Sequence, residues 1–418
     1  MDFFRFLMSD VLSEPAVLVG LIALIGLIEQ KKPVTECIKG TVKTIMGFVI
    51  LGAGASLVVS SLGDFANIFQ HAFGIQGVVP NNEAIVSVAQ KSFGKEMAMI
   101  MFFAMVINIM IARFTPWKFI FLTGHHTLFM SMMVAVILAT AGMTGITLIA
   151  VGSLVVGVAM VFFPAIAHPY MKKVTGSDDV AIGHFSTLSY VLAGFIGSKF
   201  GNKEHSTEDM NVPKSLLFLR DTPVAISFTM SIIFLVTCLF AGADAVKELS
   251  GGKNWFMFSI MQSITFAAGV YIILQGVRMV IAEIVPAFKG ISDKLVPNAR
   301  PALDCPVVFP YAPNAVLVGF LSSFAAGLIG MFTLYLLNMI VIIPGVVPHF
   351  FVGAAAGVFG NATGGRRGAI LGAFAQGLLI TFLPVFLLPV LGDIGFANTT
   401  FSDADFGALG ILLGIIVR

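Results

Sequence analysis

Charged side chains are scarce in this sequence. They make up 11% of its 418 residues, whereas soluble domains carry about 25%. Hydrophobic residues reach 57%, and the mean hydropathy is +0.97. This shortage of charge excludes a soluble globular protein and predicts a polytopic membrane protein. The net charge of +2 is spread thinly along the chain, so we expect no nucleic-acid partner.

Cysteine is also rare. Cys37, Cys238 and Cys305 lack the short spacings of zinc or redox motifs, so we expect apolar packing residues and neither a metal nor a cofactor. The sequence also lacks the motifs of zinc proteases, serine hydrolases and nucleotide-binding loops, which argues against a membrane enzyme. We expect no cleavable signal peptide, because the apolar run after Pro15 has no small-residue cleavage site.

Long apolar runs, by contrast, recur throughout the chain and predict an all-α membrane protein with ten to eleven transmembrane helices. The stretch 179–201 is only weakly apolar and is interpreted as a re-entrant or broken element, whereas 202–221 reads as an aqueous loop. Lysine placement predicts that the Lys31–Lys43 region faces the cytoplasm and the acidic N-terminus faces out. The expected spans are 14–30, 41–63, 97–113, 117–142, 144–171, 222–243, 256–287, 314–338, 339–359, 368–392 and 407–418.

The segment 295–314 interrupts this pattern, because it holds five prolines and two charges between apolar segments. Proline breaks regular helix, and irregular backbone survives in a bilayer only where protein or a wet cavity surrounds it. A carboxylate such as Asp304 costs roughly 2.5–3.5 kcal/mol at the bilayer centre, so it needs a partner or a function there. An ordinary loop outside the membrane is the alternative interpretation.

Short patterns recur in the same order in two parts of the chain, which predicts an internal repeat within one integral membrane unit. The expected halves are 14–201 and 222–418, separated by the polar loop. Transporters built from repeats place the substrate where corresponding segments are interrupted, which predicts paired half-sites at 79–84 and 296–305. The recurring patterns are Gly47/Gly54 and Gly269/Gly276, Val79-Pro80-Asn81 and Val296-Pro297-Asn298, and Phe114-Thr115 and Phe332-Thr333.

Histidines inside apolar segments are the other candidate site residues. His125 and His126 follow Gly124 within an expected span, and His184 follows Gly183 in the weakly apolar element. Adjacent histidines point about 100° apart on a helix, so both cannot face lipid at low cost. Each histidine could instead be structural, bonded to a neighbouring helix or exposed in a loop.

Two further pairs of charges allow structural interpretations. Arg278 and Glu283 are predicted to be interhelical partners rather than ligand contacts. Arg366 and Arg367 are predicted to lie in a cytoplasmic loop, with the docking of an acidic partner as a second possibility.

Several motifs together resemble a known family, the ascorbate branch of the membrane (IIC) components of the bacterial phosphoenolpyruvate-dependent phosphotransferase system. The resemblance covers about residues 35–375 and is most specific in 269–316. Its motifs are Leu122-Thr-Gly-His125, Ile182-Gly-His184, Lys203-Glu-His-Ser-Thr-Glu-Asp209, Gln275-Gly-Val-Arg-Met-Val280, Phe288-Lys-Gly-Ile291, Ala302-Leu-Asp-Cys305 and Tyr311-Ala-Pro-Asn-Ala-Val316.

This resemblance implies a homodimeric permease of the bacterial inner membrane, with an inverted repeat, a core domain that moves as an elevator and a dimerisation domain. It implies transport of L-ascorbate or a related sugar. Phosphorylation would come from a separate cytoplasmic IIB protein charged by IIA, so the chain itself would not be an enzyme. The implied substrate-binding residues are Asn82, Glu83, Thr123, Gly124, His125, His126, Thr127, His184, Phe185 and Asp304.

Two positions depart from the ascorbate pattern. Glu83 stands where the family pattern has tyrosine, and Phe185 stands where it has glutamine, so the substrate could be another sugar acid or a polyol. An ion-coupled secondary transporter using Asp304, Glu283 and the histidines as a proton relay is the alternative function. A membrane enzyme using the three histidines is the third hypothesis, and metal analysis of purified protein would test it.

Overall fold

The computed structural model describes residues 15–74, 77–210, 218–219, 221–392 and 399–417, so parts of the predicted polar loop and of the first and last spans lie outside it. The chain in these ranges is mainly helical. The helices are α1 Pro15–Glu29, α2 Val34–Phe73, α3 Asn82–Phe114, α4 Gly124–Thr140, α5 Gly145–Thr175, α6 Thr187–Phe200, α7 Thr222–Ala241, α8 Ala243–Leu249, α9 Trp255–Leu295, α10 Pro313–Leu336, α11 Val346–Leu387 and α12 Ala404–Val417. The strands are β1 Gly77–Pro80, β2 Phe119–Phe121, β3 Ala181–Ile182, β4 Arg300–Leu303, β5 Val341–Ile342 and β6 Thr399–Thr400.

Six helices in the described residues are long and apolar enough to cross a membrane, and the bent pair α7–α8 makes a seventh if it counts as one span. The chain is therefore an all-α polytopic membrane protein, as predicted. This count, which covers the described residues only, is lower than the ten to eleven spans expected. The expected spans 339–359 and 368–392 fall on the two helical parts of α11, which meet at a break: Gly364 and Gly365 have non-helical backbone, and a side-chain carbon at Gly360 would collide with the Gly368 carbonyl oxygen, so the chain turns back there. The helices α1, α4 and α12, with 15, 17 and 14 residues, fall short of the ~20 residues that a span needs.

The elements recur in the same order in two halves of the chain. A long helix (α2 or α9) leads into a four-residue strand (β1 or β4), and a further helix and a short strand follow. Each series then continues through a helical segment and a two-residue strand (β3 or β6) to a 14-residue helix, α6 or α12.

The corresponding helices α2 and α9 run antiparallel. A side-chain carbon at Gly40 would lie 3.0 Å from the Glu283 carboxylate, whereas further along α2 the Ser61 hydroxyl donates to the Gln262 carbonyl at 3.0 Å. Residue numbers thus rise along one helix as they fall along the other. Antiparallel packing of equivalent helices is the geometry of an inverted repeat, in which the two units have opposite orientations in the membrane.

Two small parallel sheets join the repeated units. β1 lies between β5 and β6, and β4 lies between β2 and β3. Each central strand therefore pairs with two strands from the other series. These ladders satisfy backbone donors and acceptors at places where the helices are interrupted, as a bilayer requires of non-helical backbone.

The weakly apolar element 179–201 packs against α5, the helix that precedes it. β3 ends at Ile182, and α6 then packs its Gly194 against the ring of Tyr170 near the end of α5. The last helix behaves in the same way, because Gly410 and Gly414 of α12 contact Leu387 and Val390 at the end of α11. The contacts of α12 rise in residue number together with those of α11, so α12 runs parallel to the end of α11. Re-entry of the element 179–201 stays a prediction.

Small residues let α10 and α11 cross closely. Gly319 and Ser323 on α10 face Gly353 and Gly357 on α11, and a side-chain carbon at Gly357 would collide with the Ala315 carbonyl oxygen. This spacing of small residues by four is typical of tightly packed membrane helices. The crossing anchors the start of α11, which carries part of the cavity described below.

Replacing Gly357 with alanine should overpack this crossing and destabilise the protein by about 1–3 kcal/mol, because the new methyl group meets backbone. The measurement is the melting temperature of detergent-purified protein. Gly52→Ala in α2 is the matched control, since nothing lies within 4 Å of a side-chain carbon there. Equal melting temperatures for the two variants would contradict the close crossing.

Candidate functional site

The six strands end around one cavity of about 220 Å³. Five helices (α3, α4, α6, α11 and α12) begin within a few residues of a strand end, so their amino termini converge on this region. Helix amino termini present free N–H groups and partial positive charge, which suit oxygen-rich ligands. The lining residues are Asn82, Glu83, His125, His126, Phe129, His184, Arg278, Asp304, Cys305, Pro306, Val347, Pro348, Phe351, Ser402 and Asp403.

Asp304 lies between two of the predicted histidines. Its carboxylate oxygens are 3.4 Å from Nε2 of His125 and 3.8 Å from Nε2 of His184. One oxygen also accepts a hydrogen bond of 2.7 Å from the Cys305 backbone N–H, because Asp304 caps the short 3₁₀ helix Cys305–Tyr311. The proline-broken segment therefore delivers a carboxylate to the cavity.

The hydrogen bonds of His126 determine its chemistry. The Phe185 backbone N–H donates to Nδ1 of His126 at 3.3 Å. A ring nitrogen that accepts a hydrogen bond carries no proton, so neutral His126 has its proton on Nε2. His126 is thus a hydrogen-bond donor, and its ring lies 3.8 Å from that of His184, centroid to centroid.

A contact with Tyr190 orients the His184 ring. Its Nδ1 is 2.9 Å from the Tyr190 hydroxyl, and Tyr190 is fully buried in α6. This contact directs Nε2 of His184 toward Asp304 and the cavity. Three imidazoles and one carboxylate from three separate strand ends therefore converge.

The last strand end contributes a second carboxylate. Asp403 accepts hydrogen bonds from Ser186, Ser402 and the Asn82 amide. Asp405 lies behind it and accepts from the backbone N–H groups of Thr187 and Leu188 at 2.8 Å each, which satisfies the amino terminus of α6. This network joins β1, β3 and β6 at the cavity wall.

Arg278 of α9 also faces the cavity. It lines the cavity, whereas Glu283 faces Gly40 of α2, as expected of an interhelical partner. Five residues separate the two side chains and place them about 140° apart on α9, so one faces the cavity while the other faces α2. Arg278 also lines a neighbouring, more apolar cavity of about 430 Å³.

Four of the ten predicted site residues do not line the cavity. The Phe185 ring is buried and stacks on Phe121 with ring centroids 4.6 Å apart, so this residue meets the site only through its N–H on His126. Gly124 begins α4, and Thr127 donates to the Thr123 carbonyl. The Thr123 hydroxyl is buried and has no hydrogen-bond partner among the described residues.

Two groups of side chains bring potential metal ligands within 4.8 Å of one another: His125, His126 and Asp304, and His184, Asp304 and Cys305. The first group loses a ligand because Nδ1 of His126 is engaged and Nε2 carries the proton. The second keeps three donor atoms, the number that catalytic zinc sites use. His184, Asp304 and Cys305 are therefore the residues that could hold an ion.

Comparison with known proteins assigns the chain to a family. The family of PTS system sugar-specific permease components (EIIC-GAT) matches residues 10–405. The chain belongs to this family.

A curated relative agrees with the assignment. The chain is similar to the ascorbate-specific PTS system EIIC component of Mycoplasma pneumoniae, with 27% identity over 459 aligned residues. The alignment covers 96% of this chain and 67% of the relative. The chain is thus a multi-pass sugar-specific permease component, as the motifs predicted.

Sequence reasoning missed three polar residues of this permease cavity: Arg278, Ser402 and Asp403. The acidic run Ser402-Asp403-Ala404-Asp405 within an apolar chain was the available signal. It precedes α12 as His184 precedes α6 in the other series, so the repeat pattern could have identified it.

An ion cluster fixes the other end of the sheet that carries Asp304. The Asp178 carboxylate is 2.6 Å from each of Lys172, His168 and Arg300, and Arg300 is the first residue of β4. Hydrogen bonds from Lys172 and His168, together with Arg300, hold the pKa of Asp178 well below its usual value. The cluster ties α5 to the strand that ends at Asp304.

Asp178→Asn should lower the melting temperature at neutral pH, because three cationic or donor groups lose their shared carboxylate. A carboxyl group with a lowered pKa in the folded protein stabilises it fully above the unfolded pKa of about 3.9. The difference from wild type should therefore shrink as the pH falls below that value. Asp179→Asn is the neighbouring control, and a difference that persists unchanged in acid would contradict the ionic origin.

Proposed function

We propose that this chain is the permease subunit of a phosphotransferase system that moves L-ascorbate, or a related sugar acid or polyol, across the bacterial inner membrane. The family match supports a sugar-specific permease component, and the relative's name supports the ascorbate group. The observation that carries the proposal is the cavity itself, where Asp304, His125 and His184 converge from separate strand ends in an apolar protein.

The cavity chemistry supports a polyhydroxylated ligand. Asp304 supplies acceptors, His126 supplies a donor, and the buried Thr123 hydroxyl has unused hydrogen-bonding capacity. Sites built to bond substrate hydroxyls reject analogues that lack them, because buried polar groups are then left unpaired. All ten predicted residues remain candidates for substrate contact, although Thr123, Gly124, Thr127 and Phe185 would act from behind the wall or in another conformation.

The arrangement of helices supports an elevator in a homodimer. α2, α7 and α9 pack against one another and carry none of the strand-end residues, whereas α3–α6 and α10–α12 carry the junctions that surround the cavity. We propose that the second group is the mobile core and the first contributes to the dimerisation domain. The division into halves 14–201 and 222–418 remains a prediction.

Basic residues concentrate on one face, which the positive-inside rule assigns to the cytoplasm. This is the face where β2, β3 and β4 begin and where α6 ends. We propose that the IIB protein, charged by IIA, docks there and phosphorylates the sugar, so the chain acts as a transport subunit and not as an enzyme. The residues are Arg113, Lys118, Lys172, Lys173, Lys199, Lys203, Arg300, Arg366 and Arg367.

An ion-coupled secondary transporter remains the second candidate, because the cavity groups Asp304, Asp403 and the histidines could relay protons. Glu283 is less suited to that relay than the sequence indicated, since it faces α2. Proteoliposomes distinguish the two functions. The first requires IIB and phosphoenolpyruvate, whereas the second requires only an ion gradient.

Asp304→Asn should reduce sugar binding by at least about tenfold, equivalent to about 1.4 kcal/mol. Asparagine keeps the capping oxygen for Cys305, so the fold should survive while the charge is lost. The measurement is calorimetric titration of ascorbate, pentitols, hexitols and sugar acids into detergent-purified protein, with melting temperature and dimer size as controls. Unchanged affinity in this variant would remove Asp304 from the site.

The Arg366→Glu/Arg367→Glu double variant should lose phosphorylation of the sugar by added IIB while keeping sugar affinity. Both arginines are exposed beside a break in α11 at Gly364 and Gly365, where the Arg366 N–H bonds the His205 carbonyl at 2.7 Å. A Lys247→Glu/Lys253→Glu variant on the other face is the control. Normal coupling in the arginine variant would place the docking surface elsewhere.

A further inference from the structure

Ligands that a soft divalent cation prefers meet where strands β3 and β4 end. The donor atoms of His184, Asp304 and Cys305 all lie within 4.8 Å of one another. Imidazole nitrogen, carboxylate oxygen and thiolate sulfur are the ligand types of zinc sites, and atoms around one tetrahedral zinc lie roughly 3.3–3.8 Å apart. The 3.8 Å between Nε2 of His184 and the Asp304 carboxylate is at the upper end of that range. Small side-chain movements would therefore bring all three atoms to one ion.

Strand pairing fixes the spacing of two of these ligands. β3 and β4 pair in parallel with Ile182 opposite Leu303, and the Gly183 N–H donates to the Leu303 carbonyl at 2.7 Å. His184 and Asp304 follow this pair directly along the chain. Sites built on rigid elements hold their ligands more precisely than sites on loops. The sheet therefore places the histidine and the carboxylate side by side.

The Tyr190 hydroxyl orients the histidine ring for an ion. It lies 2.9 Å from Nδ1 of His184, and the tyrosine is fully buried. Metal-binding histidines usually donate the N–H of their other ring nitrogen to an oxygen, which fixes the ring. A proton on Nδ1, donated to the Tyr190 oxygen, leaves the lone pair of Nε2 directed toward Asp304. The cluster thus has the outer contact of a zinc site as well as the ligands.

We propose that His184, Asp304 and Cys305 form a zinc site within the cavity and that zinc bound there excludes the sugar. The zinc site stands on the geometry alone, whereas the competition rests on the permease function proposed above, in which His184 and Asp304 contact the sugar. On binding, a zinc–sulfur bond replaces the S–H bond of Cys305, and the proton passes to water. A divalent cation with one thiolate and one carboxylate carries no net charge, which lowers the cost of burying it.

Sulfur makes the site selective among cations. Thiolate ligands favour soft cations such as zinc and cadmium, whereas magnesium and calcium bind oxygen ligands. Cys305 is only 1% exposed, yet it lines the cavity, from which the ion would reach it. Nε2 of His125 lies 3.4 Å from the Asp304 carboxylate and can supply a fourth ligand, as can water.

The test is calorimetric titration of zinc into full-length, detergent-purified protein from which any affinity tag has been removed. We expect one zinc ion to bind per chain and magnesium not to bind. Cys305→Ser replaces the sulfur with a poorer ligand, so it should weaken zinc binding at least about tenfold. Cadmium should produce the ultraviolet charge-transfer absorption of a cadmium–sulfur bond in wild type and not in this variant.

The chain offers a matched control because it has three cysteines, all of them buried. Cys37 and Cys238 lie on α2 and α7, outside the lining of this cavity. The Cys37→Ser/Cys238→Ser variant keeps Cys305 as its one thiol, so it should retain both the zinc affinity and the cadmium absorption. This variant carries the test even if Cys305→Ser does not fold, a case that the melting temperature identifies.

Tyr190→Phe tests the positioning of the histidine. Loss of an outer contact typically lowers metal affinity about 10–100-fold, so zinc should bind more weakly by a factor in that range. The cadmium absorption should return at saturation, because the three ligands themselves remain.

Competition is measured by titrating the panel of ascorbate, pentitols, hexitols and sugar acids with and without saturating zinc. We expect zinc to weaken sugar binding at least about tenfold and a chelator to restore it. A sugar affinity that zinc leaves unchanged would overturn the exclusion.

Two results would overturn the zinc site itself. One is the absence of zinc binding to wild type, and the other is equal zinc affinity in a folded Cys305→Ser variant, which would place the ion elsewhere. If zinc binds as expected but no member of the panel does, the proposed permease substrate fails while the metal site stands.

Discussion

Backbone hydrogen bonding in the absence of water is the constraint on which the rest of this structure depends. A chain that crosses hydrocarbon must satisfy every N–H and C=O internally. This protein interrupts its helices at six strands and pairs the strands as two parallel sheets. Each central strand, β1 or β4, pairs with strands of the other series. The strand pairs that satisfy the backbone groups at these interruptions therefore also hold the two repeated units together.

The same arrangement creates the site. Parallel strands end at one edge, and the helices that follow them begin there with unsatisfied N–H groups. Polar side chains meet this requirement: Asn81 accepts from the Ala84 N–H, Asp304 from Cys305, and Asp405 from Thr187 and Leu188. Carboxylates at these termini are stabilised by the helix ends, which explains why an apolar protein can hold several of them close together. The polar groups of the candidate site are thus groups that the fold already requires.

Burial strengthens the polar interactions inside the cavity. Coulombic interactions and hydrogen bonds are much stronger in a protein interior than in water. His126 shows the same effect for hydrogen bonds, because one backbone N–H from Phe185 determines which ring nitrogen donates. Contacts of the lining residues with their neighbours outside the cavity therefore determine which donors and acceptors face the cavity.

Some features of the candidate site and of the fold could be predicted from the sequence, and others could not. Asp304 and the histidines were accessible because polar groups in apolar runs are costly and hence informative. The interruption of the helical pattern before α6 was accessible from the weak hydropathy of 179–201. The expected number of spans exceeds the six or seven long apolar helices among the described residues, because α1, α4 and α12 are too short to span and composition alone does not fix where a helix ends. The expected spans 339–359 and 368–392 are nevertheless separate, because the chain turns back at Gly364–Gly365. The position of Arg278 at the cavity could not be predicted, because a helical arginine carries no sign of whether it faces a neighbouring helix or a cavity.

The sequence by itself determined the membrane class, the repeated pattern and the family, since these depend on composition, order and local motifs. Only the tertiary structure decided which polar groups share a cavity. Glu83, Asp304 and Asp403 lie on three different elements that are far apart in the sequence. Glu83 and Asp403 come together because β1 and β6 pair in one sheet. Asp304 joins them because β4, in the other sheet, ends at the same cavity. Strand pairing between the two series is a long-range interaction that no local segment encodes, and the charge of the cavity follows from it.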